Sequence, residues 1–438
     1  MATTYFYRTP TAGNRRTWTF SVWVKRGTLG ARQGIYNVNG GSNPYTFFEF
    51  LASDALRIED YDGGTDTDLI TSRLFRDVGA WYHLVVAYDT TQTTNTDRIK
   101  LYVNGVQETS FSTETYCAED FDTEMNTTVQ VDFGREQSNY FDGEMSHVQL
   151  VDGLQLAPTE FGEVDSTSGI WKIKTSCYGT PGTNGFCLKM EDRTNLDLDS
   201  SSNAHTFTTT GTITATYDNP SDNFCIWSRL NPQAYPWYMS NGNTTAQTAV
   251  DSTWRSVFGT LANSTGKYYF ESECDVDGGA ASVGILATEQ QSPTNSQFSD
   301  LSLGYAYHYS GDKRNDGNST SYGDSYTDGD IIGIAYDATN GTLWFSKNGT
   351  WQNSATIGEI AAGTTTNAAF SGMTTGASKF YGPALTGYTS AIWKTNFGNG
   401  YFGTTAISSE GTNASGIGSF EYDVPTGFTA WSTKGFNE

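Results

Sequence analysis

Cysteine, histidine and positive charge are scarce in this chain. Its 438 residues include five cysteines and four histidines, and 25 basic residues stand against 48 acidic ones, a formal net charge of −23. The cysteines form no Cys-x-x-Cys pair and the histidines are scattered, so zinc is not expected. Nucleic acid is excluded as a partner, because phosphate binding needs clustered basic residues.

Long apolar runs and helix-forming stretches are also missing. No run approaches the roughly 18 apolar residues of a membrane span, so no membrane insertion is expected. The start, MATTYFYRTPTAGNRR, lacks the apolar core of a secretory signal peptide. We therefore expect the cysteines to be small buried hydrophobes. A disulfide between Cys177 and Cys187 is not favoured in a protein that folds in reducing cytoplasm.

Aromatic residues are abundant instead, at 14% of the chain, together with threonine, glycine and asparagine. These are the residues of strands and tight turns, and they predict an all-β fold. Apolar residues recur at every second position in Trp81–Gln107 and again in Ile331–Thr350. Alternation of this kind predicts strands with one buried face and one polar face.

Both alternating segments contain Asn-Gly, at Asn104-Gly105 and Asn348-Gly349. This dipeptide favours the type I′ turn of a two-residue hairpin. Two such segments in a chain of this length predict two tandem antiparallel β-sandwiches. The predicted domains are a first sandwich at 1–165, an extended connector at 166–233, a second sandwich at 234–403 and a tail at 404–438.

Paired carboxylates are the strongest signal for an enzyme. Glu271 and Glu273 lie two residues apart on one strand face, a spacing that suits glycoside hydrolysis. A solvated strand face explains them better, since Asp275 extends the same polar row. Asp142 and Glu144 also share a strand face, beside a tight glycine, and there we expect Asp142 to hydrogen-bond a neighbouring loop instead of serving catalysis. No Ser/His/Asp order or phosphate loop is present, so we expect a non-enzyme.

A tyrosine-rich segment, SGDKRNDGNSTSYGDSY with its flanks, is the best binding candidate. Tyrosines beside Asn, Asp and Arg suit a sugar or a protein partner. The alternative is that alternation packs part of these tyrosines on the sheet. The predicted glycan- or partner-binding residues are Tyr307, Tyr309, Arg314, Tyr322 and Tyr326.

Two further segments carry weaker signals. RTPTAGNRR is the most basic stretch of an acidic chain, so Arg8, Arg15 and Arg16 are candidate contacts to an acidic partner, or form a solvated arm. The acidic loop Asp60–Asp68 resembles a calcium loop but lacks the acidic twelfth position, so calcium and a solvated turn both stay open. No other cofactor is expected.

The strings TWTFSVWVKRG, WYHLVVAYD, IKLYVNGVQ and FDGEMSHVQLVDG occur in this order and resemble the laminin-G/concanavalin-like jelly-roll family. GKYYFE, SVGI, LGYAY, GDIIGIAYD and GTLWFSKNG resemble a SPRY domain. The longer strings GNRRTWTFSVWVKRGTLG, FGEVDSTSGIWKIK and GTNGFCLKMED resemble structural proteins of marine tailed bacteriophages, cyanophages included.

The phage resemblance implies a virion structural protein, made in the host cytoplasm and exposed on the particle surface. Tail fibre, head fibre and capsid decoration all stay open, as does a homo-oligomer. Its implied partners are other virion proteins and, for host attachment, host-surface glycans. The alternatives are a purely structural capsid decoration or cement protein and, last, a polysaccharide-degrading enzyme.

Overall fold

The computed structural model describes residues 3–38, 43–230, 237–291, 296–376 and 379–437. The chain divides into two compact units, Met1–Ala215 and Thr216–Glu438. Each unit is built almost wholly from antiparallel strands, with two short α-helices in the described residues, α1 (Asn95–Arg98) and α2 (Ile357–Ala362). The all-β prediction is confirmed. In the described part of the chain, neither helix has the length and apolarity to cross a bilayer.

The described residues of the first unit contain eighteen strands and a 3-10 turn at Pro158–Glu160. They are β1 Tyr5–Arg8, β2 Thr17–Arg26, β3 Gln33–Val38, β4 Tyr45–Phe50, β5 Ala55–Tyr61, β6 Thr65–Leu74, β7 Trp81–Asp89, β8 Ile99–Val103, β9 Val106–Gln107, β10 Phe111–Thr115, β11 Val131–Phe133, β12 Arg135–Glu136, β13 Asn139–Tyr140, β14 Gly143–Asp152, β15 Gly162–Val164, β16 Trp171–Ile173, β17 Phe186–Leu188 and β18 Thr208–Thr210.

Two sheets enclose the core of the first unit. The larger has the order β10-β6-β5-β4-β3-β11-β1-β18, and the smaller has the order β17-β14-β2-β7-β8-β9. Strand β2 shows how the sequence builds this core, since Trp18, Phe20, Val22 and Val24 alternate into it. The opposite face of β2 is also covered. There Trp23 packs with Trp81 of β7 and with Trp171 and Ile173 of the β15–β16 hairpin.

In the second unit, the part of the chain that the structure describes contains sixteen strands and 3-10 turns at Thr288–Gln290, Phe298–Asp300 and Gly435–Asn437. The strands are β19 Tyr238–Ser240, β20 Thr245–Gln247, β21 Arg255–Phe258, β22 Lys267–Val276, β23 Ala281–Ala287, β24 Gly304–His308, β25 Asp312–Asn315, β26 Asn318–Ser321, β27 Asp330–Asp337, β28 Thr342–Lys347, β29 Thr350–Trp351, β30 Tyr381–Gly387, β31 Ile392–Asn396, β32 Tyr401–Phe402, β33 Thr405–Ala406 and β34 Thr429–Ala430.

Its two large sheets follow the orders β19-β20-β31-β22-β27-β28-β29, with β34 on β22, and β21-β30-β23-β24-β25-β26, and β32 pairs with β33 separately. The core between them is aromatic and fully buried, and it includes Phe270, Tyr336, Phe345, Trp393 and Trp431. The second Asn-Gly turn joins β28 to β29, with φ of 48° at Asn348 and 78° at Gly349. These values are the left-handed pair that a type I′ turn requires.

The predicted connector, 166–233, and tail, 404–438, are divided between the two units. Strand β17 pairs with β14 and β18 pairs with β1, so most of the connector completes the first sandwich. Near the C-terminus, β34 pairs parallel with β22 in the centre of the second unit. Both segments supply strands that pair within a sandwich, so neither is separate from the two units.

A disulfide joins Cys177 to Cys187 within the first unit. The expectation that all five cysteines are unpaired buried hydrophobes is therefore wrong for this pair. The two residues lie 10 positions apart, and pairing of β17 with β14 brings Cys187 beside Gln149. The other three cysteines are buried, as expected for small hydrophobic side chains.

Candidate functional site

Three of the predicted binding tyrosines lie in the core of the second unit. Tyr307, Tyr322 and Tyr326 are all buried, and the Tyr307 ring lies 5.7 Å from that of Tyr322 and 5.4 Å from that of Phe345. The Tyr326 hydroxyl donates to the carbonyls of Ala281 and Tyr307. The prediction that these three rings form a binding surface is wrong, because Tyr307 faces the core from strand β24 and the loop after β26 packs Tyr322 and Tyr326 into the same core.

Tyr309 and Arg314 lie nearer the surface, and both are half-buried. The Tyr309 ring contacts His308, with ring centroids 4.6 Å apart. Arg314 Nη1 donates to Gln297 Oε1 at 2.6 Å. Each side chain is thus held by its own neighbours. The structure does not bring the five predicted residues together as one exposed surface.

The candidate site is an open groove beside this segment, defined by Ser321–Asp324 and Thr350–Ser354, with a volume of about 460 Å³. The first stretch follows strand β26, and the second begins at strand β29, immediately after the Asn-Gly turn. Loops presented by a rigid sandwich are a common location for binding residues. The sequence prediction included the first stretch but missed the second.

Gln352 fixes the two stretches of the groove to each other. Its buried Oε1 accepts hydrogen bonds from the Asp324 backbone N–H at 2.8 Å and from the Tyr307 hydroxyl at 3.4 Å. Its Nε2 donates to the Thr350 carbonyl at 2.9 Å. A Cβ on Gly323 would lie 2.5 Å from Gln352 Oε1, so only glycine allows this approach. The groove is therefore pre-formed.

Trp351 supplies the aromatic wall of the groove. Its half-buried ring packs against a secondary apolar cluster of the second unit, with its centroid 6.3 Å from that of Tyr269. Next to it, Asn353 and Ser354 have φ of 56° and 61°, which is uncommon for residues other than glycine. Such conformations often occur at functional sites. An aromatic residue two positions after the Asn-Gly turn was the sequence signal that could have identified this wall.

A buried carboxylate, Glu271, lies beside Tyr269, the ring against which Trp351 packs. Glu271 has no exposed surface, and its oxygens accept hydrogen bonds from the backbone N–H groups of Glu421 and Tyr422, both at 2.9 Å, and from the Tyr269 hydroxyl at 3.0 Å. Burial raises the pKa of Glu271 to about 7. The interpretation of Glu271 as part of a solvated face is wrong, because the C-terminal segment covers it.

Glu273, two residues along the strand, is half-buried, with Oε2 3.9 Å from Lys394 Nζ. One carboxylate thus holds the C-terminal segment, whereas the other lies beside a lysine. Glu271 and Glu273 therefore do not form the acid and nucleophile on an open cleft that glycoside hydrolysis requires.

The predicted virion contacts Arg8, Arg15 and Arg16 are engaged within the first unit. Arg8 is buried, and its Nη1 donates to the Asn184 carbonyl at 2.9 Å, so the prediction that it contacts a partner is wrong. Arg15 pairs with Glu124 at 2.5 Å, and Arg16 pairs with Asp120 and Asp122 at 3.0 and 2.7 Å. Arg15 and Arg16 therefore form ion pairs with the acidic loop that contains Asp120, Asp122 and Glu124, within the same unit.

Two carboxylates of the acidic loop Asp60–Asp68 have partners within the protein. Asp60 points into the core, where it accepts hydrogen bonds from Thr46 and Tyr88, and Asp68 pairs with Arg57 at 2.8 Å. Across the described residues, no three His, Cys, Asp or Glu side chains are grouped to hold a metal ion.

A buried serine and histidine lie on the outer side of β2. His83 Nδ1 accepts a hydrogen bond from Trp171 Nε1 at 3.0 Å, and Nε2 lies 2.9 Å from Ser21 Oγ. Because an indole only donates, the proton of the neutral imidazole is on Nε2, which then donates to Ser21. Burial lowers the pKa of His83 to about 3. This histidine is not placed to remove the serine proton.

Comparison with known proteins supports two different domains. Residues 3–158 match the sequence model of the Concanavalin A-like lectin/glucanases superfamily, and residues 267–381 match that of the SPRY domain. The first unit thus contains a concanavalin-like domain and the second a SPRY domain, as the sequence resemblances predicted.

A Drosophila melanogaster protein described as a Ran-binding proteins 9/10 homolog is 36% identical over 93 residues. The match covers 20% of this chain, and the chain spans 10% of the length of that protein.

Two solved structures are similar to parts of this chain. The SPRY domain of human HERC1 has a TM-score of 0.30 and 16% identity, over 39% of this chain and 96% of that one. A putative carbohydrate binding protein from Bacteroides ovatus has a TM-score of 0.33 and 13% identity, over 48% of this chain and 58% of that one.

Proposed function

We propose that this chain is a non-catalytic binding protein exposed on the surface of a virion, where its groove binds glycans of the host surface. The observation that carries the proposal is the groove itself: Trp351 beside polar side chains, on two stretches joined by Gln352. Aromatic rings with apolar faces, combined with hydrogen-bonding groups, are suited to sugars. The tandem concanavalin-like and SPRY domains are folds of binding modules, which supports this assignment.

The virion role rests on the bacteriophage-like strings of the sequence. In this proposal the protein is made in the host cytoplasm and assembles with other virion proteins, as a tail fibre, head fibre or capsid decoration. It needs no cofactor, contacts no nucleic acid and inserts into no membrane. The net charge of −23 supports the exclusion of nucleic acid.

Non-catalytic binding is proposed because the carboxylates and the histidine that could serve catalysis have structural partners. Glu271 holds backbone amides of the C-terminal segment, and His83 is fixed between Trp171 and Ser21. Release of reducing sugar from a polysaccharide by the purified protein, lost in Glu271→Gln, would contradict this part of the proposal.

The test is binding of the purified full chain to an array of bacterial surface glycans. We expect at least one saccharide to bind, and Trp351→Ala to weaken that binding by about tenfold or more, about 1.4 kcal/mol, because the aromatic wall is removed. Trp254→Ala is the matched control, since Trp254 is half-buried in the same unit and packs on Tyr388, outside the groove. It should leave binding unchanged.

Absence of saccharide binding, together with retained binding to particles that lack this protein, would favour the purely structural decoration or cement role. Equal loss in both tryptophan variants would show that the groove is not the binding site.

A further inference from the structure

We infer that the groove selects uncharged saccharides and holds them by a pair of neighbouring hydroxyl groups on the Asp324 carboxylate, while it rejects anionic saccharides. This inference deepens the proposed function and rests on it. It follows from the charge of the lining, from the freedom of one carboxylate and from the rigidity of the groove.

The lining of the groove carries one charged side chain, Asp324, which is exposed. Its other residues are uncharged at neutral pH, and serine, threonine, asparagine and glutamine supply most of their polar groups. A uronate or sialate would place a carboxylate against that of Asp324 without a lining cation to neutralise either. Like charges in contact are unfavourable, so the lining disfavours anionic sugars.

A lysine does lie beside the groove, but it is already engaged. Lys347 Nζ is 3.1 Å from Asp330 Oδ2 and donates to the Ser325 carbonyl at 2.8 Å. Moving it to an anionic sugar would break both interactions. Lys347 therefore does not reverse the preference that Asp324 sets.

The main chain of Asp324 is fixed, while its carboxylate has no hydrogen-bond partner or ion pair among the described residues. The N–H donates to Gln352 Oε1 at 2.8 Å, and the carbonyl accepts a short hydrogen bond from the Tyr307 hydroxyl. An ionised carboxylate only accepts hydrogen bonds, and its two oxygens can accept two hydroxyl donors together. Neighbouring hydroxyls of a sugar ring are such a donor pair.

Trp351 adds an apolar surface to the polar lining of the groove. Its half-buried indole can contact the C–H face of a sugar ring. Asn353 and Thr350 are exposed beside it and add donors and acceptors. Because Gln352 holds both stretches in place, binding orders few new groups, which favours affinity. The combination of an aromatic face and a free carboxylate fits an uncharged pyranose with adjacent hydroxyls.

The test measures binding of the full chain by calorimetry to matched pairs of oligosaccharides that differ only in a C6 carboxylate. The pairs are gluco- and glucurono-, manno- and mannurono-, and galacto- and galacturono-tetrasaccharides. We expect binding to the uncharged member of at least one pair, at least tenfold tighter than to its anionic counterpart. Asp324→Asn should weaken binding of the uncharged member about tenfold and reduce the difference within the pair.

Asp316→Asn is the matched control, because Asp316 is an exposed aspartate in the turn between β25 and β26 and does not line the groove. It should change neither affinity. The far-UV circular dichroism and melting temperature of both variants show whether they fold.

Equal or tighter binding of the anionic members would overturn this inference and leave the proposed glycan binding standing. No binding to any of the six oligosaccharides, with no hit on the glycan array, would overturn both. Unchanged affinity in Asp324→Asn would overturn the role of the carboxylate.

Discussion

Glu271 shows how one residue can join distant parts of a chain. Its carboxylate is fully buried and accepts backbone hydrogen bonds from Glu421 and Tyr422, 150 and 151 residues away. The groups that face it are Tyr269, Asn396 and the like-charged Glu421, and the described residues give it no ion pair. Burial of this uncompensated charge raises its pKa to about 7.

The raised pKa predicts a stability that depends on pH. The folded state favours the protonated form, so the contribution of Glu271 to stability is complete below its ordinary pKa of 4.5 and is lost as pH rises through about 7. We expect the free energy of unfolding of the wild type, minus that of Glu271→Gln, to fall by about 3 kcal/mol between pH 4 and pH 8. Urea unfolding of both proteins at each pH measures this difference.

Glu273→Gln provides the control on the same strand. Glu273 is half-buried beside Lys394, and although burial raises its pKa, solvent and the lysine moderate the effect. Its pH-dependent difference should be clearly smaller. Taking differences at each pH removes the common contribution of the buried histidines, so a flat Glu271→Gln difference would refute the burial argument.

At the scale of elements, the Asn348-Gly349 turn supports the groove. Gly349 has φ of 78°, and a Cβ there would lie 2.6 Å from the Tyr422 ring. The turn is thus pressed against the C-terminal segment on one side and continues into Trp351 on the other. A two-residue turn of this type is specified by local sequence, but the ring that covers it comes from elsewhere in the chain.

Gly349→Ala therefore tests backbone strain and contact together. The left-handed conformation alone costs a non-glycine residue about 1 kcal/mol. Gly317→Ala is the control for that cost, because Gly317 has φ of 71° and no atom within 4 Å of an added Cβ. We expect Gly349→Ala to destabilise the second unit by at least about 1 kcal/mol more than Gly317→Ala, measured by thermal or urea unfolding. Equal losses would show that Tyr422 moves aside freely.

At the scale of the whole molecule, the C-terminal segment is part of the second sandwich. Strand β34 pairs with β22, Trp431 is fully buried in the aromatic core, and Phe420 and Phe428 fill a secondary apolar cluster. Large side chains of this kind typically contribute several kcal/mol each when they are removed from a core. Residues 404–438 are therefore integral to the fold of the second unit.

The unit boundaries predict how fragments of the chain behave. We expect fragments 1–215 and 216–438 each to unfold in one cooperative transition, whereas 216–403 should fail to fold, because it lacks β34 and Trp431. Circular dichroism and calorimetry of the three fragments make the comparison. A cooperative transition of 216–403 at the same temperature as that of 216–438 would contradict this account.

The sequence by itself determined the all-β fold class, the central hairpin of each unit and the two tandem sandwiches. Alternation places Trp18, Phe20, Val22 and Val24 in one core, and Asn-Gly fixes a hairpin turn, because both signals act between residues that are adjacent in the chain. Strand β28, Thr342–Lys347, lies within the alternating segment Ile331–Thr350 for this reason.

Only the tertiary structure decided which strand faces are covered and which side chains meet. Period two predicts two faces but not whether a distant segment buries the second, as the C-terminal segment buries Glu271. The same limit applies to the Cys177–Cys187 bond, to the inward Tyr322 and to Gln352, which joins loops 28 positions apart. The groove exists because of such long-range contacts, and local patterns do not encode them.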